Sequence, residues 1–280
     1  MNYRMLLRET AARFEQCGIP DPMVDAALLM SHLTGRPMLE LRLDSAHEPD
    51  AETLAAYEAL CSRRMSREPL QYILGTQPFL GRMMRVDSRV LIPRPETELL
   101  CEHAIGALKR LPSPTALDLC CGSGCIAVSL ALEAPHAQIH ACDLSGDALD
   151  VTRLNAQAHG ARLTLHQGDL FDAVRGLSFD VIVSNPPYIA SAECSALQQE
   201  VLREPLMALD GGADGYDFYR RIARDAPRFL KRGGTLLLEV GFSQAEHVAR
   251  LLRETGFARI AIERDLQQVD RMVIASLGAS

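Results

Sequence analysis

The sequence has no apolar run approaching the ~20 residues that a bilayer-spanning helix needs, so no helical membrane span is predicted. Its first residues, Met1-Asn2-Tyr3-Arg4-Met5-Leu6-Leu7-Arg8-Glu9, carry charges inside the apolar pattern and lack the core of a signal peptide. A cytoplasmic location is therefore expected. None of the eight cysteines (Cys17, Cys61, Cys101, Cys120, Cys121, Cys125, Cys142 and Cys194) forms a Cys-x-x-Cys pair. They sit mostly in apolar segments, which argues against a metal site or a disulfide framework and for small buried hydrophobes. There is no surplus of positive charge: 29 Lys and Arg stand against 36 Asp and Glu, a net charge of −7. Such a chain has little non-specific grip on a phosphate backbone, and no stable nucleic-acid binding is expected. Arg63, Arg64 and Arg67 form a local basic cluster, read as a solvated helix end.

What is present is ordinary for a soluble globular protein: 280 residues, 48% hydrophobic and 23% charged. A chain of this length forms one large domain or two smaller ones and buries about three-quarters of its unfolded surface. Periodicity is helical from residue 3 to about 67. Asp21-Pro22 starts a helix, with aspartate as N-cap and proline in the first turn, and Gly35 stops it. A further helix spans Ala51 to Met65. Between 69 and 95 the chain turns to short pieces punctuated by Pro69, Gly75, Pro78, Gly81, Pro93 and Pro95, and the alternation from Met83 to Val90 predicts a hairpin. Beyond Glu96, strands near 115–120, 137–143, 162–167, 179–184, 235–240, 258–263 and 271–276 alternate with helices. That is the pattern of an α/β fold with a doubly wound, mostly parallel seven-stranded Rossmann-like sheet. The predicted organisation is a helical bundle at residues 1–70, a hairpin linker at 71–95, and the sheet domain at 96–280. Ser243-x-x-Glu246 is read as a capping box, and Gly211 to Gly215 and Lys231 to Gly234 as turns.

Thr115-Ala-Leu-Asp118-Leu-Cys120-Cys121-Gly122-Ser123-Gly124-Cys-Ile-Ala127 runs from a strand through glycines into a helix. Gly122 and Gly124 let the backbone turn tightly and approach a ligand without a Cβ in the way. Asp143 ends the second strand, where a carboxylate can accept hydrogen bonds from a ribose diol. The spacing G-x-G-x-x-A with this aspartate also fits a dinucleotide site, so the loop alone leaves the cofactor open. Asp118 precedes the loop, and Asp169 and Leu170 follow the third strand. Cys120 and Cys121 have no cationic neighbour in sequence to lower their pKa, and are read as packing rather than redox residues.

The fourth strand, Asp180-Val-Ile-Val-Ser184, ends in Asn185-Pro186-Pro187-Tyr188. Each proline fixes its own φ and holds its predecessor extended, leaving a stiff corner poor in N–H groups. The Asn185 side-chain oxygen and the Pro186 carbonyl make a row of acceptors suited to a planar –NH₂, and the Tyr188 ring offers a flat face for it. As a bare strand terminator the tetrapeptide would be unremarked; beside the glycine loop it reads as functional.

The tetrapeptide resembles the signature of S-adenosylmethionine-dependent amino-methyltransferases. Arg67-Glu-Pro69-Leu-Gln-Tyr72-Ile-Leu-Gly75, Phe79 and Leu91-Ile-Pro-Arg94-Pro-Glu-Thr97-Glu98 resemble the linker of the glutamine N5-methyltransferases that modify peptide chain release factors. So do Arg203-Glu204-Pro205 with Ala208-Leu209, and Asp265-Leu266 with Asp270-Arg-Met-Val273. The resemblance implies S-adenosylmethionine as cofactor, held by Cys120, Cys121, Gly122, Ser123, Gly124, Asp143, Asp169, Leu170 and Asn185. It implies Asn185, Pro186 and Tyr188 as catalytic residues, and Asn185, Pro186, Pro187 and Tyr188 against the substrate. The implied acceptor is the glutamine of the Gly-Gly-Gln motif in class 1 release factors. Relatives acting on a ribosomal-protein glutamine share the second half of the chain, and DNA adenine N6-methyltransferases use the same tetrapeptide on a flipped base. A binding protein on a methyltransferase-like fold is the non-enzymatic alternative. No large unpaired apolar face is evident, so a monomer is expected.

Overall fold

Apolar side chains recur at helical spacing through the first part of the chain, and a computed structural model, which describes residues 1–278, turns them into five helices. These are α1 (Tyr3–Gln16), α2 (Pro22–Thr34), α3 (Met38–Leu43), α4 (Ala51–Met65) and α5 (Leu70–Leu74). They enclose Phe14, Leu29, Met30, Leu41 and Tyr57, all fully buried, and the Tyr57 hydroxyl donates to the Ala26 carbonyl at 3.1 Å. Pro22 opens α2 and Gly35 ends it at φ 68°, as predicted, but the Asp21 side chain makes no capping bond. Side-chain caps are made at other helices of the bundle: Asn2 accepts from the Met5 amide at the start of α1, and Asp50 from the Thr53 amide at 2.7 Å at the start of α4. The short helix α5 was not foreseen, because Pro69 and Gly75 on either side make the segment read as punctuation.

The arginine cluster is not a solvated helix end. Arg64 is 4% exposed, with Nε 2.7 Å from Asp25 and Nη2 2.9 Å from Glu200, and Arg67 reaches the other Glu200 oxygen at 2.5 Å. Arg63 pairs with Glu68. Glu200 belongs to this helical unit because the chain forms two units in space: Met1–Thr76 together with Gln198–Arg203, and the rest of the described chain.

Strands β1 (Thr76–Phe79) and β2 (Arg82–Arg85) form a hairpin around Leu80 and Gly81, both at positive φ. Its second strand stops short of the predicted Val90: residues 86–90 carry Asp87 and Arg89 in an irregular loop. The sheet unit then alternates as α6 (Pro95–Leu108), β3 (Thr115–Leu119), α7 (Cys125–Glu133), β4 (Gln138–Asp143), α8 (Gly146–His159), β5 (Thr164–Gln167), β6 (Phe179–Ser184), α9 (Ser191–Cys194), α10 (Asp217–Phe229), β7 (Leu230–Glu239), α11 (Ala245–Glu254), β8 (Phe257–Arg264) and β9 (Asp270–Leu277). The seven strands lie in the order β5-β4-β3-β6-β7-β9-β8, parallel except for β9, which runs antiparallel to both neighbours. This is the doubly wound sheet expected. Successive side chains of a strand face opposite sides: Val181 and Val183 of β6 join one core with Leu100 and Val128, while Ile182 joins the other with Ile222 and Val248. Burial on both faces explains why these strands read as continuous apolar runs.

Two local expectations resolve differently. Phe179 pairs with Leu230 but Val181 pairs with Thr235, so Lys231 to Gly234 bulge out within β7 rather than precede it. The capping box at Ser243 does not form: Ser243 sits at φ 64°, α11 begins at Ala245, and Gln244 is its N-cap residue. The physical reason is a stronger demand on Gln244, whose Oε1 accepts from the Gly241 amide at 2.9 Å while Nε2 donates to the Tyr188 carbonyl at 3.0 Å.

Candidate active site

In an open α/β sheet, ligands bind beyond the carboxyl ends of the strands where the strand order reverses. Here the reversal lies between β3 and β6, whose last residues Leu119 and Ser184 are paired. The Ser184 hydroxyl donates to the Leu119 carbonyl at 2.6 Å, locking the two strand ends side by side. A cavity of about 440 Å³ opens there, within the usual size range for small-molecule sites. Cys120, Gly122, Asp143, Asp169, Leu170 and Asn185 line it, residues at or just past the ends of β3, β4, β5 and β6.

The loop after β3 is tightly turned. Cys120 takes φ 63°, a left-handed conformation costing an L-residue about 1–2 kcal/mol, and Gly122 and Gly124 take φ 54° and 76°. A Cβ on Gly122 would meet no protein atom within 4 Å, whereas one on Gly124 would lie 2.5 Å from Thr152. Gly122 therefore bares its backbone, and Gly124 lets α7 pack on α8. Asp143 ties this loop to β4: Oδ2 accepts from the Gly122 amide and Oδ1 from the Ser145 amide, each at 2.9 Å. Burial pushes its carboxyl up, against the pull of those N–H groups. Each oxygen keeps a lone pair for a ligand hydroxyl. Beneath the loop, Asp118 is 1% exposed; its Oδ2 accepts from the Ala127 amide at 2.9 Å, its Oδ1 has no hydrogen-bond partner among the described residues, and burial lifts its carboxyl to about 7. Burial likewise raises the Cys120 and Cys121 thiols well above the ordinary range; Cys121 packs, whereas Cys120 is half-buried at the cavity wall.

At the end of β6, Asn185 Nδ2 donates to Thr97 Oγ1 at 3.2 Å, and Thr97 Oγ1 donates to Glu239 Oε2 at 2.6 Å. Thr97 and Glu239 are both 3% exposed, and burial raises the Glu239 carboxyl to about 7. The backbone beyond Asn185 is clasped by a second strand-like segment: Ile189 N donates to Leu209 O at 3.0 Å and Gly211 N to Ile189 O at 2.7 Å. A Cβ on Gly211 would fall 2.7 Å from the Tyr188 Cα, one on Gly215 2.5 Å from the Tyr188 carbonyl oxygen, and one on Gly241 3.0 Å from Tyr188 Cδ2. Glycines thus enclose Tyr188 on several sides, and burial pushes its hydroxyl up to about 12.

Two family descriptions match the chain: "PrmC N-terminal domain" over residues 5–75 and "Methyltransferase small domain" over residues 96–214. Among curated relatives, the release factor glutamine methyltransferase of Geobacter sulfurreducens is 43% identical over 277 residues, covering 98% of this chain and 96% of its own. That of Cereibacter sphaeroides is 44% identical over 280 residues and 98% of each chain. The chain belongs to the release factor glutamine methyltransferase family. A "Bifunctional methyltransferase" of Rickettsia bellii is 34% identical over 97% of this chain, which spans 54% of that longer protein. Among solved structures, a methyltransferase from Pyrococcus furiosus (TM-score 0.52, 16% identity, 71% of this chain and 90% of that one) shares the fold. So does a T. thermophilus 16S rRNA N2 G1207 methyltransferase in complex with AdoMet and guanosine (TM-score 0.52, 19% identity, 72% and 49%).

Against this family background, the predicted site residues divide into two sets. Cys120, Gly122, Asp143, Asp169, Leu170, Asn185 and Pro187 face the cavity together. Cys121, Ser123, Gly124, Pro186 and Tyr188 are not part of its wall. Cys121 lies buried against Thr152 with Sγ 3.6 Å from Oγ1, and the Ser123 carbonyl accepts from Asn155 Nδ2 at 2.9 Å, so these shape the loop from behind. Asp169 lies two residues past the end of β5, and its carboxylate meets Arg221 Nη2 at 2.7 Å. Arg221, Phe218, Arg89 and the Pro205–Met207 stretch complete the wall and were not singled out as site residues. The only sequence signal for the last was the Arg203-Glu204-Pro205 match, whose physical sense is now clear. Glu204 is 6% exposed and accepts from the Ile92 amide at 2.9 Å and from Arg94 at 2.5 Å, fastening two segments that border the cavity. Among the described residues no cluster of three His, Cys, Asp or Glu could hold a metal ion, and no helix is long and apolar enough to cross a membrane.

Proposed function

We propose that the chain transfers the methyl group of S-adenosylmethionine to the side-chain amide nitrogen of the glutamine in the Gly-Gly-Gln motif of class 1 peptide chain release factors. The observation that carries this reading is Asn185: it lines the cavity with its own –NH₂ held by Thr97, so its oxygen is the acceptor left for a ligand. The cavity suits the methyl donor. Gly122 opens its backbone to the cavity, Asp143 keeps lone pairs for the ribose diol, and Leu144, Leu170 and Phe218 offer apolar surface for a planar base. Bound there, S-adenosylmethionine supplies a methyl group made electrophilic by its sulfonium.

The amide nitrogen of glutamine is a poor nucleophile because its lone pair is delocalised into the carbonyl. Asn185 Oδ1 and the Pro186 carbonyl accept its two N–H bonds, drawing electron density onto nitrogen and fixing its direction of attack. Positioning of this kind lowers a barrier by up to ~7–11 kcal/mol. Tyr188 and Pro187 hold the amide plane. The new N–C bond would form as the sulfonium S–CH₃ bond breaks with its electron pair left on sulfur, and the nitrogen would pass one proton to solvent water as, or after, it does so, so that no resident general base is required. Relatives named for release factor glutamine favour this acceptor over a ribosomal-protein glutamine or DNA adenine. In the same reading residues 1–70 dock the release factor, 71–95 link, and 96–280 carry catalysis. The protein works as a monomer in the cytoplasm, on factors of translation termination, without stable nucleic-acid binding.

The test offers labelled S-adenosylmethionine with purified release factor, a ribosomal protein and duplex DNA separately. Label on the Gly-Gly-Gln glutamine, lost by at least a hundred-fold in Asn185→Ala while cofactor affinity stays within about three-fold, is the expected outcome. Label on DNA or the ribosomal protein alone would overturn the acceptor.

A further inference from the structure

A side-chain amide can present either its oxygen or its –NH₂ to a substrate, since the two ends are nearly the same shape. For Asn185 to accept from a glutamine amide, the oxygen must point outward; the reversed rotamer would set donor against donor. The orientation has to be imposed from behind. Thr97, in the first turn of α6, has one proton and spends it on Glu239 Oε2 at 2.6 Å, a distance typical of a hydroxyl donating to an oxygen that carries charge. Its Oγ1 can then only accept, and what faces it at 3.2 Å must be the Asn185 –NH₂. Glu239 closes β7, the strand beside β6, and among the described residues Thr97 is its side-chain donor.

From this geometry we infer that Glu239 and Thr97 are positioning residues that polarise a chain, Glu239 to Thr97 to Asn185, and so lock the Asn185 oxygen toward the methyl acceptor. The inference rests on the glutamine-methylation reading and adds to it two residues that touch neither acceptor nor cofactor. Its logic depends on the charge of Glu239. As a carboxylate it only accepts; protonated, it can donate to Thr97, free the threonine proton for Asn185 Oδ1, and let the amide turn over. Burial, with a smaller push from Glu96, raises this carboxyl to about 7 against the pull of the Thr97 hydrogen bond, Arg271 and Arg94. Tyr188, Tyr219 of α10 and Cys125 of α7 are the other titratable groups that feel it. All three stay neutral near pH 7, so they leave Glu239 as the group that sets the direction of the chain.

The test compares wild type, Thr97→Val, Thr97→Ser and Glu239→Gln in methyl transfer to release factor, with kcat and KM measured from pH 5.5 to 9 and S-adenosylmethionine affinity measured separately. Thr97→Val should lower kcat/KM at least ten-fold with cofactor affinity within about two-fold, and Thr97→Ser, which keeps the hydroxyl, should recover most of the loss. Wild-type kcat/KM should fall on an acid limb near pH 7 that is missing in Glu239→Gln, whose amide oxygen still accepts from Thr97 at every pH. Near-wild-type kcat/KM in Thr97→Val, an equal loss in Thr97→Ser, or an acid limb unchanged in Glu239→Gln would overturn the relay. Absence of transfer by the wild type would instead strike the function itself, so the two failures are distinct.

Discussion

Asp143 shows what one side chain contributes here. It holds the glycine loop through Gly122 and the start of α8 through Ser145, and in the proposed function it also receives the ribose. Asp143→Ala removes acceptors for two backbone amides and for the diol, at roughly 1.5–3 kcal/mol for each charged hydrogen bond lost to the ligand. With both hydroxyls of the diol bound, isothermal titration should show S-adenosylmethionine binding weakened by about two to four orders of magnitude, and saturating cofactor should restore much of the turnover. That pattern is the reverse of Asn185→Ala. Both residues were legible in the sequence because each stands where a strand gives way to a turn. The roles of Thr97 and Glu239 were not: Thr97 lay in the linker stretch Leu91 to Glu98 with nothing to tie it to Asn185, Glu239 lay in no motif, and the three meet across 88 and 142 positions of chain. Asp169 was legible by position, but its partner Arg221 was hidden in a helix whose polar face gives no sign of which arginine turns toward the cavity.

Among the elements, the corner Asn185-Pro186-Pro187-Tyr188 is stiff by composition but is kept in place by the segment that clasps it. Gly211 approaches the Tyr188 backbone so closely that a methyl group at that position would sit 2.7 Å from Cα. Gly211→Ala must push the segment away, breaking the bonds between Ile189, Leu209 and Gly211. We expect the variant to fold, with a stability loss of about 1–3 kcal/mol, and to lose at least ten-fold in kcat because the acceptor row is displaced. Chemical denaturation and steady-state transfer measure the two effects separately. The seven strands were readable because parallel strands buried on both faces advertise themselves as apolar runs, whereas their order, with the reversal between β3 and β6, came only with the structure. Helix starts were less so. Ser243 and Glu246 have the spacing of a capping box, yet Gln244 between them is held by Gly241 and Tyr188, and a tertiary contact overrides a local propensity.

For the sheet unit as a whole, buried carboxyls set a pH dependence. Asp118 has one oxygen bonded and one without a hydrogen-bond partner among the described residues, and its carboxyl is raised from 3.8 to about 7. The folded state therefore holds this proton more tightly than the unfolded chain. Its contribution to stability is complete below about pH 4 and is lost as pH rises toward about 7, an effect on the order of a few kcal/mol. Asp118→Asn has no charge to bury. The difference in denaturation free energy between wild type and Asp118→Asn should shift in favour of the variant as pH is raised from 5 to 8; an unchanging difference would show that Asp118 does not titrate in this range. The sequence placed Asp143 at the cofactor and Asp118 only before the loop; the burial of Asp118, which sets its titration, came with the structure.

The short stretch Gln198–Arg203 gives the helical unit an unusual boundary. The chain departs from the sheet unit, delivers Glu200 to Arg64 and Arg67, and returns within a few residues. A fragment cut after Thr76 would keep every α-helix of the unit and still lack the carboxylate that answers two of its arginines. The gene can be severed at that point with one break, but the folded unit cannot be lifted out with it: part of its electrostatic interior is encoded more than a hundred residues downstream.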